Sequence, residues 1–270
     1  STLVNSTVLI TRKFSLHTVA TASNYLVFAL ACALLTACGG GKFDLSDNQA
    51  QPLQDPSSQQ DCADKNPQRN AYFGDLHVHT GYSADGWMFG ARTTPQDAYR
   101  YAFGGEVLLP PNNASGTEGT RSARIDRPLD FMGVTDHSEF YGEGRICTTD
   151  NFAGYDSDYC QEYRASFGRN FTLAMAMIAP YTWRNGDLCG EDGEHCKKAA
   201  RAVWEDTIAA AQDWDDSSDN CQRSTFIAYE YSSVRLGSNL HRNVVFKNTT
   251  VPRLPISTIE APRHWQLWEA

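Results

Sequence analysis

The residues best suited to do chemistry are imidazoles and carboxylates that recur at the ends of short apolar runs. His77 and His79 lie in Tyr72-Phe73-Gly74-Asp75-Leu76-His77-Val78-His79-Thr80, a β-prone run. Residues i and i+2 of a strand face the same side, so both imidazoles point together, as ligands of one ion must. A half-buried strand with two solvated histidines is the plainer alternative. Asp85 follows in the loop Gly81-Tyr82-Ser83-Ala84-Asp85-Gly86, where taken singly it reads as a turn former. Thr135-Asp136-His137 follows a second apolar run, Glu230 ends a third, and His241 opens a fourth. Four of the seven histidines fall in these motifs, and it is the clustering that argues for a shared site. Nitrogen and oxygen donors without thiolate suit Zn²⁺, Mn²⁺ or Fe²⁺, and a carboxylate such as Glu230 can bridge two ions. Water on such ions acidifies to a pKa near ~7 and becomes a nucleophile, which is hydrolytic chemistry.

The elements that must position these groups alternate between strand and helix. Thr94-Pro95-Gln96-Asp97 reads as a helix start, with an N-cap Thr, Pro at N1 and an acid in the first turn, and Gly104-Gly105 ends that helix. Leu129-Asp130-Phe131-Met132-Gly133-Val134 has no helical period and suits a buried strand. Between Glu194 and Trp214 the apolar Ala200, Val203, Trp204, Ile208 and Ala211 recur at steps of three and four, predicting a helix with one buried face. Thr225–Tyr229 and Leu240–Phe246 read as further strands. The class is α/β, in which sites assemble at the carboxyl ends of strands.

Composition narrows the partners. The 270 residues carry a formal charge of −9, which disfavours nucleic acid and other polyanions. Arg12 and Lys13 precede an uncharged span that ends in Leu35-Thr36-Ala37-Cys38-Gly39, a pattern like a bacterial lipoprotein signal. Residues 1–37 are expected to be removed and Cys38 to carry a lipid, giving an exported protein anchored in the cell envelope; an uncleaved anchor or a plain secretory peptide is the alternative. Residues 38–70, rich in Gly, Gln, Ser and Asp, are expected to form a flexible tether. Residues 71–270 then form one domain, and the abrupt ending suggests that it is incomplete. In an oxidising compartment Cys62, Cys147, Cys160, Cys189, Cys196 and Cys221 make an even set, with local staples Cys147–Cys160 and Cys189–Cys196 expected. A zinc knuckle at His195 is the rival use of the latter pair. There is no serine-nucleophile elbow, no phosphate-binding P-loop and no dinucleotide fingerprint after a strand.

Taken together, Asp75-Leu76-His77-Val78-His79-Thr80 with Ser83, Asp85 and Gly86, then Val134-Thr135-Asp136-His137, Glu230 and His241, resemble the motifs of the PHP (polymerase and histidinol phosphatase) superfamily. The longer phrases resemble an exported branch of it, domain of unknown function 3604. The resemblance implies a distorted (β/α)7 barrel, truncated at its C-terminus, with two or three divalent ions at the carboxyl ends of its strands. It implies that His77, His79 and Glu230 serve one ion, that His241 helps to hold a second with Glu230 bridging, and that Asp85 and His137 belong to a third. Asp136 would orient a ligand or its water. The superfamily's last Asp-x-His motif has no counterpart, and His264 does not fit it. Either that motif lies beyond Ala270 or the centre is degenerate. Arg242, beside His241, is the candidate to hold an anionic group of a small-molecule substrate. The function expected is a metal-dependent hydrolase acting on phosphate esters; alternatives are an amide, ester or carbon–carbon hydrolase and a non-catalytic metal-binding envelope protein.

Overall fold

A computed structural model describes residues 39–40, 42–53, 62–63, 66–165, 184–233 and 240–270. The chain divides into two units, Ser1–Gly39 and Gly40–Ala270. The expected signal segment and Cys38, the expected lipid site, lie outside the described residues. Among the described residues no helix is long and apolar enough to cross a membrane.

The centre of the Gly40–Ala270 unit is a parallel sheet of three strands, β1 (Gly74–Val78), β4 (Phe131–Val134) and β5 (Ser224–Phe226), with β4 in the middle. β4 pairs on both sides, which explains its unalternating apolar sequence: Met132, Gly133 and Val134 are all buried. Between β1 and β4 the chain forms α1 (Ala84–Met88), α2 (Pro95–Ala102) and the antiparallel pair β2 (Val107–Asn112) and β3 (Gly119–Ala123). The loop expected around Asp85 is thus partly helical, because Asp85 falls in the first turn of α1. α2 starts as its sequence demands: Thr94 accepts from the Asp97 N–H, Asp97 accepts from the Thr94 N–H, and Pro95 occupies the first turn.

After β4 come α3 (Tyr141–Thr148), α4 (Asp158–Ala165) and the long α5 (Glu194–Trp214), whose bounds are those that the spacing predicts. α5 buries Ala199, Ala200, Val203, Trp204, Ala210 and Ala211, and the Trp204 indole donates to the Pro252 carbonyl at 2.8 Å. The strand expected over 225–229 is longer and broken: β5 stops at Phe226, and β6 (Ala228–Ser233) continues it. β6 pairs antiparallel with β7 (Leu240–Val245), so Glu230 stands inside a strand, not at its end. A last helix, α6, spans His264–Glu269. The protein is therefore mixed α/β, and the described strands do not close into a barrel.

Parts of the expected tether are anchored. Phe43 is buried beneath the Arg184 guanidinium, 3.5 Å from its ring centroid. The Asn48 side chain donates to the Leu254 carbonyl at 3.0 Å and accepts from its N–H at 2.7 Å. Gln51 and Pro52 pair with Val251 and Thr250. These partners lie far along the chain, up to 206 positions away, so local composition carries no sign of them. Cys62 is bonded to Cys221, and the two expected staples, Cys147–Cys160 and Cys189–Cys196, are both present. With Cys189 and Cys196 oxidised, no thiolate remains for a zinc knuckle at His195.

Backbones approach closely where α3 meets the start of α5. A Cβ added at Gly142 would lie 2.3 Å from the Cys196 carbonyl oxygen. Gly142→Ala therefore has to push the two helices apart, and we expect a loss of about 1–3 kcal/mol, seen as a lower urea midpoint with an unchanged slope. An unchanged midpoint would show that the helices separate freely.

Candidate metal centre

Glu230 is the convergence point. Its side chain is wholly buried, and three histidines bring ring nitrogens to it. Oε2 lies 2.8 Å from His79 Nε2 and 3.1 Å from His77 Nε2. Oε1 contacts His241 Nδ1, accepts from the Ser232 hydroxyl at 3.1 Å and lies 3.7 Å from His137 Nδ1. Asp85 is the second focus: Oδ2 is 2.9 Å from His79 Nδ1 and 3.5 Å from His137 Nε2. The four rings form a chain, His77 to His79 to His137 to His241, with centroids 5.1, 4.7 and 5.1 Å apart. Three groups of three donors result: His77, His79 and Glu230; His79, Asp85 and His137; His137, Glu230 and His241. In each, the donor atoms lie within 4.8 Å of one another, so a cation fits the donor chemistry of imidazole and carboxylate.

Local structure explains the convergence. β1 and β4 are parallel neighbours, so His77, His79 and His137 emerge at the same end of the sheet. β6 meets the chain beyond β4 through a bridge between His137 and Glu230, with the Glu230 N–H donating to the Asp136 carbonyl at 3.0 Å. α1 tucks back against the turn after His79: a Cβ on Gly86 would stand 2.1 Å from the Thr80 carbonyl oxygen, so only glycine permits this approach. Asp85 is held from behind by the Ser83 hydroxyl at 2.5 Å and the Gly86 N–H at 2.7 Å, both donating to Oδ1. That leaves Oδ2 for the histidines.

Asp136 belongs to none of the three groups. Its buried carboxylate accepts from the Thr80 N–H at 2.5 Å and the Thr80 hydroxyl at 2.7 Å, clamping the turn directly after His79. Arg242 neighbours His241 on β7 and so points to the other face of that strand; its guanidinium donates to the His241 carbonyl at 3.0 Å. Sequence reasoning missed Ser232 and Glu139, and it placed Ser83 in a motif without giving it a role. Ser232 could have been found by the same two-residue rule that pairs His77 with His79, since it follows Glu230 by two on β6. Glu139 accepts from the Ser232 N–H at 2.9 Å and faces His137 Nδ1 at 3.8 Å.

The electrostatics are those of a carboxylate cage holding protons. Burial opposes charge on His79, but hydrogen bonds to Asp85 and Glu230 outweigh it and raise its pKa from 6.5 to about 10. Burial would raise Glu230, yet the His79 bond and the neighbouring imidazoles bring it down to about 2. Asp85 is likewise held well below its usual range, against its burial, by His137 and His79. Burial pushes Asp136 up to about 6 and Glu139 up to about 7. A further cluster of Glu143, Cys189 and Cys196 offers no comparable site, because its sulfurs are joined and Arg184 already occupies Glu143.

Residues 66–270 match a family model described as a protein of unknown function, DUF3604. The chain belongs to this family. All six converging side chains fall inside the DUF3604 region. No curated protein and no solved structure matches the chain.

The charges of this DUF3604 site make a pH-dependent prediction for the metal-free protein. His79 has a folded pKa above its unfolded value of 6.5, so its contribution is complete below 6.5 and lost as pH rises through about 10. Glu230 has a folded pKa below 4.5, so its contribution is complete above 4.5 and lost as pH falls through about 2. Glu230→Gln should cost about 3–5 kcal/mol in chelator. That cost should be greatest between pH 4.5 and 6.5 and shrink towards pH 10. Urea unfolding across this range measures it, and a pH-independent cost would contradict the pairing.

Proposed function

We propose that the protein is an exported metal-dependent hydrolase of the PHP kind that acts on phosphate esters. The observation that supports it most is the convergence of His77, His79, Asp85, His137, Glu230 and His241 from separate strands and a helix onto adjoining points. Three disulfides are consistent with export. Lipid attachment at Cys38 and residence in the cell envelope complete this reading, and β1, β4 and β5 would be the parallel arc of a PHP-type barrel.

The donor set fits two or three divalent ions, with Zn²⁺, Mn²⁺ and Fe²⁺ the candidates because every donor is nitrogen or carboxylate oxygen. Bound there, such ions would supply an acidified water and positive charge for the phosphoryl oxygens. The chain's own part is to hold and orient. His77, His79 and Glu230 would hold one ion; Glu230 would offer its other oxygen with His241 to a second; Asp85 and His137 would hold a third. Asp136 would keep Thr80, and with it His79, in register. The protein's net charge of −9 provides no long-range attraction for an anionic substrate, so recognition would fall to the ions themselves.

Two measurements test this. Elemental analysis of the purified protein should find divalent metal, and His77→Ala should lower the content by about one equivalent; unchanged content would remove the centre. Metal-replete wild type should hydrolyse p-nitrophenyl phosphate with Mn²⁺ present, and His79→Ala should reduce the rate by at least ~10²-fold. A replete protein that cleaves amides or carboxylic esters but no phosphoester would move the substrate to acyl compounds, and one that cleaves nothing would make it a metal-binding protein only.

A further inference from the structure

His137 enters two of the three donor groups and turns a different atom to each carboxylate, Nε2 towards Asp85 and Nδ1 towards Glu230. A neutral imidazole can give only one of them to a cation. We infer that Ser232 is a positioning residue that keeps the proton on His137 Nδ1, so that His137 serves a cation through Nε2 beside Asp85 and takes no part in a site with Glu230 and His241. This inference rests on the metal-centre reading above and deepens it.

The protons decide between the two nitrogens. Ser232 has one hydroxyl proton and two lone pairs. Its Oγ lies 3.1 Å from Glu230 Oε1 and 2.6 Å from His137 Nδ1. A carboxylate only accepts, so the Ser232 proton goes to Glu230 and the hydroxyl oxygen is left to accept. The partner at 2.6 Å must then donate, which puts a proton on Nδ1. Glu139 adds to this: its Oε2 stands 3.8 Å from Nδ1, and its Oε1 fixes the Ser232 backbone through the N–H. The same hydroxyl blocks the alternative. A cation about 2.0–2.1 Å from Nδ1 along its lone pair would run into an oxygen only 2.6 Å from that nitrogen.

The opposite side of the ring is open in the corresponding way. His137 Nε2 and Asp85 Oδ2 are 3.5 Å apart, longer than an ordinary N–H···O bond. Two ligands each about 2.1 Å from one tetrahedral ion are about 3.4 Å apart, close to that spacing. The Asp85 oxygen on that side is the one that Ser83 and Gly86 leave unused.

The test reads the ring directly. Long-range ¹H–¹⁵N correlation spectra of the full chain loaded with Zn²⁺, with His137 assigned by difference against His137→Gln, should show Nδ1 protonated and Nε2 shifted by metal. Ser232→Ala should return His137 to mixed tautomers and weaken one zinc equivalent about 10–100-fold in chelator competition, with Ser232→Thr close to wild type. A metal-shifted Nδ1 in wild type, or unchanged zinc affinity in Ser232→Ala, overturns the assignment. If wild type takes up no zinc, the metal centre fails; the metal-free spectrum still decides the tautomer, because an unprotonated Nδ1 there would overturn it.

Discussion

A single carboxylate removed from water organises this protein. Glu230 is fully buried, and an isolated charge there would be far too costly to keep. It survives because His77 and His79 from the β1 segment, His241 from β7 and Ser232 from its own strand each bring a polar atom to it. The strand restart after Ile227, the antiparallel pairing of β6 with β7 and the bridge to His137 together place that group beside the ends of β4 and β7. Hydrogen bonds and ion pairs with the imidazoles satisfy the carboxylate, and the same donors lie close enough together to hold a metal ion.

A second buried charge ties the outer structure to this centre. Arg184 lies between Glu143 and Glu260, at 3.1 and 2.8 Å, with Phe43 stacked on its face. Its guanidinium also donates to the Glu139 carbonyl at 2.9 Å, and the Glu139 side chain in turn supports Ser232 behind His137. Contacts through Phe43, Arg184, Glu139 and Ser232 thus link the segment around Phe43 to the imidazole cage.

Much of the scaffold was legible in the residues. The capping box at Thr94, the helical period from Glu194 to Trp214 and the unalternating run at Phe131–Val134 each encode their element locally, because capping, periodicity and two-sided burial leave marks on neighbouring positions. The histidine motifs were legible for the same reason. Glu139 was not, because an acid in a turn looks solvated until its partner arrives. The segment from Phe43 to Pro52 resembled a tether, since its stabilising contacts are with residues around 184 and 250.

Residue type and short-range spacing by themselves determined that imidazoles would face one another on β1, that six donors of nitrogen and oxygen type were present, and that two cysteine pairs would close locally. Tertiary structure alone decided which oxygen of Glu230 meets which ring, that Asp136 serves Thr80, and that Cys62 reaches Cys221. The difference is physical. Hydrogen-bond geometry depends on positions to within a fraction of an ångström, and those positions are set by strands brought together from distant parts of the chain, which no local pattern specifies.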